Sequence, residues 1–226
     1  MTQFSKGDSL FLTYEYEKAL KYYLSVDTSI NKYEIFLRIG KTYNRIGETK
    51  KGKEQLHYFN LADEYLRKAV ELNPNDPEIH YEIARNTGEI ALFKGGKTKV
   101  RLSREVKYEA EKALELDKNH HGALFILGMW HREVATLPGL LKAFAKILYG
   151  GLPPAYIDTA VTYFHRAIEL EPNTLKYRLE LAKTYIILNK KAQAKEILRE
   201  LLKMPALTRI DKESKQEAEK LFRKLE

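Results

Sequence analysis

No cysteine occurs in the chain, which excludes disulfides, thiolate nucleophiles and cysteine-based zinc sites together. No run of about 18 apolar residues is present either, so no segment reads as a bilayer-spanning helix. The opening MTQFSKGDSLF lacks the basic, apolar and small-residue progression of a secretory signal. Lack of cysteine suits a reducing cytosol and an exported protein equally. The expected compartment is therefore the cytoplasm or, with a leader already removed, the periplasm. What remains is a chain of 226 residues, 44% apolar, with 39 Lys and Arg against 31 Asp and Glu, a formal charge of +8 and a pI near 9.3. That is enough apolar material for a sizeable core, and it argues against wholesale disorder.

Internal periodicity carries most of the information. One pattern recurs: a Gly or Ala with a large residue three positions on, then a second segment with Ala, a bulky residue four on and Ala three further. Two helices approach closely only where one side chain is small, and bulky neighbours fill the grooves beside it. Gly7 and Leu10 pair in this way with Ala19 and Tyr23. Gly40 and Tyr43 open a unit completed by Ala62, Leu66, Ala69 and Pro74. Ala84 opens a third, completed by Val106, Ala110 and Ala113, and Gly128 a fourth, completed by Ala160, Phe164, Ala167 and Pro172. Ala182 and Tyr185 open the last, with Ala194, Leu198, Leu201 and Pro205. The endings AVELNP, ALELDK and AIELEP are nearly the same.

Three inserts interrupt the repeats. Residues 47–54, GETKKGKE, and 94–99, KGGKTK, are polar, basic and Gly-containing, and read as loops. The third, 137–155, is apolar and bounded by Pro138 and by Gly150, Gly151, Pro153 and Pro154. Its middle reads as a short helix with Lys142 and Lys146 on one face, the apolar face being expected to pack on the neighbouring repeat. Residues 211–225 form a charged amphipathic pattern with Ala218, Leu221, Phe222 and Leu225 on one side, which suits a solvating cap.

These units resemble tetratricopeptide repeats over nearly the whole chain. Within that class, GALFILGMWHREVATL followed by AKILYGGLPPAYIDTA resembles the regulator of microtubule dynamics family. The likeness spans roughly 84–205, its most specific pieces being Trp130, Glu133, Val134, Leu148 and the Pro153–Pro154–Ala155 turn. The stretch GEIALFKGGKTKVRLSREVKYEAEKALELD is similar to the bacterial members. The resemblance implies an all-α, tetratricopeptide-like superhelix of antiparallel helix pairs with a C-terminal capping helix, about ten to twelve helices in all. The expected repeats are approximately 3–31, 33–75, 77–118, 121–173 and 174–206, with the cap at 211–226, in one helical domain over 1–226. Animal members of the family are linked to microtubules and organelle contacts, but the resemblance places no chemistry on matched residues.

Sharper chemical readings find little support. Residues Ala91–Thr98, ALFKGGKT, satisfy a loosened phosphate-loop pattern, yet the preceding segment is helical where a strand is required. His57, His80, His120, His121, His131 and His165 show no HExxH spacing and read as surface or capping residues, and Met129-Trp130-His131 reads as packed core. No Gly-x-Ser-x-Gly occurs. The expectation is a protein without catalytic residues, metal or cofactor. The basic residues are interleaved with Glu, as in EYLRKAVE and KEILRELLKM, a solvated-face pattern that argues against nucleic acid.

In stacked helix pairs the first helices line one face. The residues after each small Gly or Ala should therefore form a partner-binding groove: Lys41, Asn44 and Arg45; Arg85 and Glu89; Met129, Arg132 and Glu133; and Lys183. Such a groove is expected to be basic and to bind an acidic peptide or protein segment. Asn44 beside Lys41 is similar to the carboxylate clamp of chaperone-binding tetratricopeptide proteins, but Glu82 stands where a second Asn belongs. The alternative is a carrier of a lipid or small apolar ligand, held in a pocket under the 137–155 insert.

Overall fold

A computed structural model of the chain describes residues 3–27, 29 and 31–225. Among the described residues there are twelve α-helices and no strand. They are divided between two compact units, Met1–Asp117 and Lys118–Glu226. The first unit holds α1 (Ser5–Leu12), α2 (Tyr16–Ser25), α3 (Lys32–Thr49), α4 (Gly52–Leu72), α5 (Pro77–Lys94) and α6 (Gly96–Leu116). Here α1 packs on α2, α3 on α4 and α5 on α6, while α2–α3 and α4–α5 contacts join the pairs. The second unit holds α7 (His121–Ala135), α8 (Gly139–Tyr149), α9 (Ile157–Leu170), α10 (Leu175–Ile187), α11 (Lys191–Lys203) and α12 (Arg209–Leu225). In it α7 pairs with α9, passing over α8; α10 pairs with α11, and α12 lies on both.

The small-residue pattern is what closes the pairs. A Cβ added at Gly40 would lie 2.7 Å from Leu66 Cγ and Cδ2, and one at Gly128 would lie 2.7 Å from Phe164 Cε1. Both distances are inside van der Waals contact, so only a missing side chain lets the helices meet. Around these points the cores assemble. Tyr23, Ile35, Leu66, Ile79 and Ile83 are buried in the first unit. Leu175, Leu179, Ala182, Leu198, Leu201 and Ala218 form one cluster of the second, and Ala160, Phe164 and Leu181 another. Each large apolar side chain so enclosed contributes about 1.5–3 kcal/mol.

Helix ends follow local chemistry. Asp76 Oδ1 accepts from the Glu78 N–H at 2.8 Å, with Pro77 in the first turn of α5. At α12 the Thr208 Oγ1 accepts from the Asp211 N–H at 3.0 Å, and Asp211 Oδ2 accepts from the Thr208 N–H at 2.9 Å, a reciprocal capping box. The cap behaves as its pattern suggests: Ala218 is buried and Leu221, Phe222 and Leu225 pack beside it.

Three expectations change. Residues 47–54 are not a loop: α3 runs to Thr49 and α4 begins at Gly52, leaving Lys50 and Lys51 as the link. Gly47 is buried against Phe59 inside the helix, so packing overrides the loop-like composition. Residues 94–99 likewise shrink to Gly95, whose φ of 60° and ψ of −165° belong to a region only glycine adopts readily. The segment 91–98 is thus helix, one glycine and helix. Finally, α8 forms as expected, but of its residues only Ala145 is buried. Its apolar face is not packed on a neighbouring repeat.

Candidate interaction surface

Position along the first helix of each pair decides where the candidate residues go. In the first unit Lys41, Asn44 and Arg45 project from α3 toward α5. Asn44 is buried, and its Nδ2 donates to Glu82 Oε2 at 2.8 Å. Arg45 Nη2 donates to Glu82 Oε1 at 2.9 Å. Lys41 pairs with Glu78, and Arg85 of α5 reaches back to Glu48 of α3. Arg85 Nη1 also stands 3.6 Å from Glu82 Oε2. Glu82 itself is 0% exposed. A buried carboxylate is tolerated only when it is paired and hydrogen-bonded, as this one is. Glu89 is half-buried further along α5.

The second unit repeats the arrangement. Arg132 on α7 is buried; its Nη2 donates to Glu180 Oε2 at 2.6 Å, and its Nη1 to the Glu180 carbonyl at 3.1 Å. Its Nη2 also lies 3.2 Å from the Met129 sulfur. Lys183 Nζ sits 3.0 Å from Glu180 Oε1 and 2.8 Å from Glu217 Oε1. Burial alone would raise the Glu180 carboxyl, but the charges of Arg132 and Lys183 and the Arg132 hydrogen bond more than reverse this and hold it below its usual value.

The structure therefore brings Lys41, Asn44, Arg45 and Arg85 together in one unit, and Met129, Arg132 and Lys183 in the other. It also gives the cations carboxylate partners that sequence reasoning missed: Glu78, Glu82, Glu48, Glu180 and Glu217. A signal existed. Asn44 and Arg132 each stand four residues after a small Gly, and Glu82 and Glu180 each stand two before a small Ala. The same two register positions meet in both units.

The histidines split. His120 Nδ1 caps α7, accepting from the Ala123 N–H at 3.2 Å, as expected of a capping residue. His80 is buried instead of lying at the surface, and His131 is buried as the packed-core reading of its segment implies. His80 Nδ1 lies 2.6 Å from Glu109 Oε2 and its Nε2 2.8 Å from the Pro74 carbonyl. The Glu109 hydrogen bond, aided by the Pro74 carbonyl and opposed by burial, raises the His80 pKa above 6.5. Trp130 is buried core, as its segment suggests.

With this geometry in hand, the relationship of the chain to other proteins is informative. A family model described as Regulator of microtubule dynamics protein 1-3 matches residues 3–226. The chain belongs to the regulator of microtubule dynamics family. Regulator of microtubule dynamics protein 1 of Bos taurus is 33% identical over 178 residues, covering 78% of this chain and 56% of the cattle protein. The Mus musculus protein of the same name is 28% identical over 223 residues, 96% of this chain and 72% of that protein. The chain thus spans little more than half the length of the cattle relative. Among solved structures, a thermophilic tetratricopeptide protein of Thermus thermophilus superposes with a TM-score of 0.68 at 14% identity, covering 96% of each chain. That likeness concerns the fold, which for this family member is all-α and of the tetratricopeptide-like superhelical class.

Proposed function

We propose that this family member is a non-catalytic protein-interaction scaffold that takes an acidic peptide or protein segment on its first-helix face. The tetratricopeptide-like fold supports protein binding in general. One observation supports the acidic preference: Arg45 Nη1 and Arg85 Nη1 are enclosed without a hydrogen-bond acceptor among the described residues, although the acceptor Asn44 Oδ1 beside them is likewise enclosed without a donor. An enclosed N–H without an acceptor costs about 1–3 kcal/mol. Because these groups are closed to water, a partner carboxylate reaches them only through a local opening of the α3–α5 pairing, and then with a charge-assisted bond. Glu48 and Glu82 offset the charge of these arginines, so the site selects by hydrogen-bond geometry more than by net charge. Lys41, Asn44, Arg45 and Arg85 would carry this contact in one unit; in the other, Met129, Arg132 and Lys183 stand at matching positions, but Arg132 Nη1 and Nη2 already have acceptors. Arg45→Lys and Arg85→Lys keep the charge but remove the fork. Titration with an acidic peptide should then weaken at least tenfold, compared at a temperature where the variants are folded, because the same arginines pair buried Glu82 and their loss should lower the melting temperature as well. Unchanged affinity would show that this face is the wrong one.

A second reading, a carrier of a small apolar ligand, draws support from a cavity of ≈ 370 Å³ lined by Val134, Ala135, Lys142, Ala145, Leu152 and Pro153. That size lies near the lower end of small-ligand clefts, about 300–1,000 Å³. Ala135→Trp should fill the cavity and abolish any ligand seen by native mass spectrometry. A ligand retained in that variant would place it elsewhere.

A further inference from the structure

The helix left over from pair packing is α8. Leu140, Ala143, Phe144 and Ile147 recur at the spacing that puts them on one face, with Leu148 beside them. Leu140 is 82% exposed, Ile147 81% and Leu148 56%, in a protein whose other helices bury their apolar stripes against one another. Ala145 is the buried residue of the helix, with Leu141 and Phe144 half-buried. Lys146 borders the apolar face beside Ala143, whereas Lys142 lies further round, on the side of Ala145. Lys142 Nζ donates to the Ala135 carbonyl at 2.9 Å, and neither lysine has a carboxylate partner among the described residues. From Val134 to Ile157 there is no Asp or Glu at all. Elsewhere Lys and Glu alternate, and the cations of the candidate face are paired. The following segment adds Tyr156, 63% exposed, an aromatic type favoured at the boundary between water and lipid.

We infer that α8 is a membrane-surface docking helix, which lies in the plane of an anionic lipid bilayer with Leu140, Ala143, Ile147 and Leu148 in the acyl boundary, Lys146 at the headgroups and Lys142 adding positive charge within a Debye length of them. Its eleven residues span about 16 Å. That is too short to cross a bilayer, so it rests on the surface. The charge selects the occupant: two lysines in a stretch without acids favour an anionic surface, whereas an apolar protein groove needs no cations along its rim. The inference is independent of the first-helix face and does not require the α8 cavity to hold a ligand.

Because the chain has no native cysteine, a single reporter can be placed cleanly. Ala143→Cys in the full chain, labelled with an environment-sensitive fluorophore, reads insertion of α8. The same label at Leu207, 76% exposed in the α11–α12 connection, is the control. With phosphatidylcholine vesicles containing phosphatidylserine, emission at position 143 should shift to the blue and intensify, and emission at 207 should not. Phosphatidylcholine alone should give a far smaller response. Lys142→Ala with Lys146→Ala should weaken vesicle binding about thirty-fold, and high salt should do the same. Leu140→Ser with Ile147→Ser should abolish insertion while leaving the circular dichroism melt unchanged, since neither side chain is packed. Four results would each overturn the inference: no shift at 143, equal shifts at 143 and 207, equal binding to both vesicle types, or anionic binding that survives the serine pair. Absence of vesicle binding would overturn it too, and would leave the face to a protein partner.

Discussion

At Gly128 one methyl group decides whether α7 and α9 can meet. A side chain there would stand 2.7 Å from the Phe164 ring. Gly128→Ala should destabilise the protein by about 1–3 kcal/mol through overpacking. Adding Phe164→Leu should return part of that loss, a coupling that a double-mutant cycle by urea denaturation reads directly. His80 makes a second prediction. Its folded pKa lies above the unfolded value because Glu109 and the Pro74 carbonyl both accept from the protonated ring. The resulting stabilisation is fully present below about pH 6.5 and is lost as pH rises through the folded pKa. Wild type should therefore be more stable relative to His80→Gln at pH 5.5 than at pH 8.5, measured by paired urea melts. The small residues of the pairs were legible because steric exclusion leaves a spacing in the sequence. Glu82 and Glu180 were not: a buried carboxylate and a solvated one are the same letter, and only a partner on another helix distinguishes them.

Among the elements, α12 shows how a terminal helix is specified. Its capping box fixes the start, and Ala218, Leu221, Phe222 and Leu225 cover the cluster around Leu198 and Leu201. Phe222→Asp should lower the melting temperature by several degrees, because it inserts a charge into an apolar contact. A melt unchanged by that substitution would mean α12 is not needed to cover the cluster. The cap could be read from its stripe alone. The two Gly-containing inserts could not, because composition reports what a loop tolerates, whereas the Gly47–Phe59 contact is a long-range fact. The α8 helix itself was readable from its period, but the state of its apolar face was not. Periodicity shows that a face is apolar and is silent on whether the chain covers it.

For the whole molecule, the two units each own their cores, so local damage should remain local. Hydrogen exchange on Gly128→Ala should rise first in residues 118–226, with amides of α3 to α5 changing less; uniform acceleration along the chain would show that the units unfold as one. The same organisation has a consequence for α8. Since α7 closes directly on α9, the excursion between them is a guest in a finished host. Replacing Leu140 or Ile147 by a polar residue carries no mutational penalty that folding would enforce. The oily side chains at those positions therefore do nothing for the fold, and the excursion is the part of the chain that can be altered without rebuilding what holds the protein up.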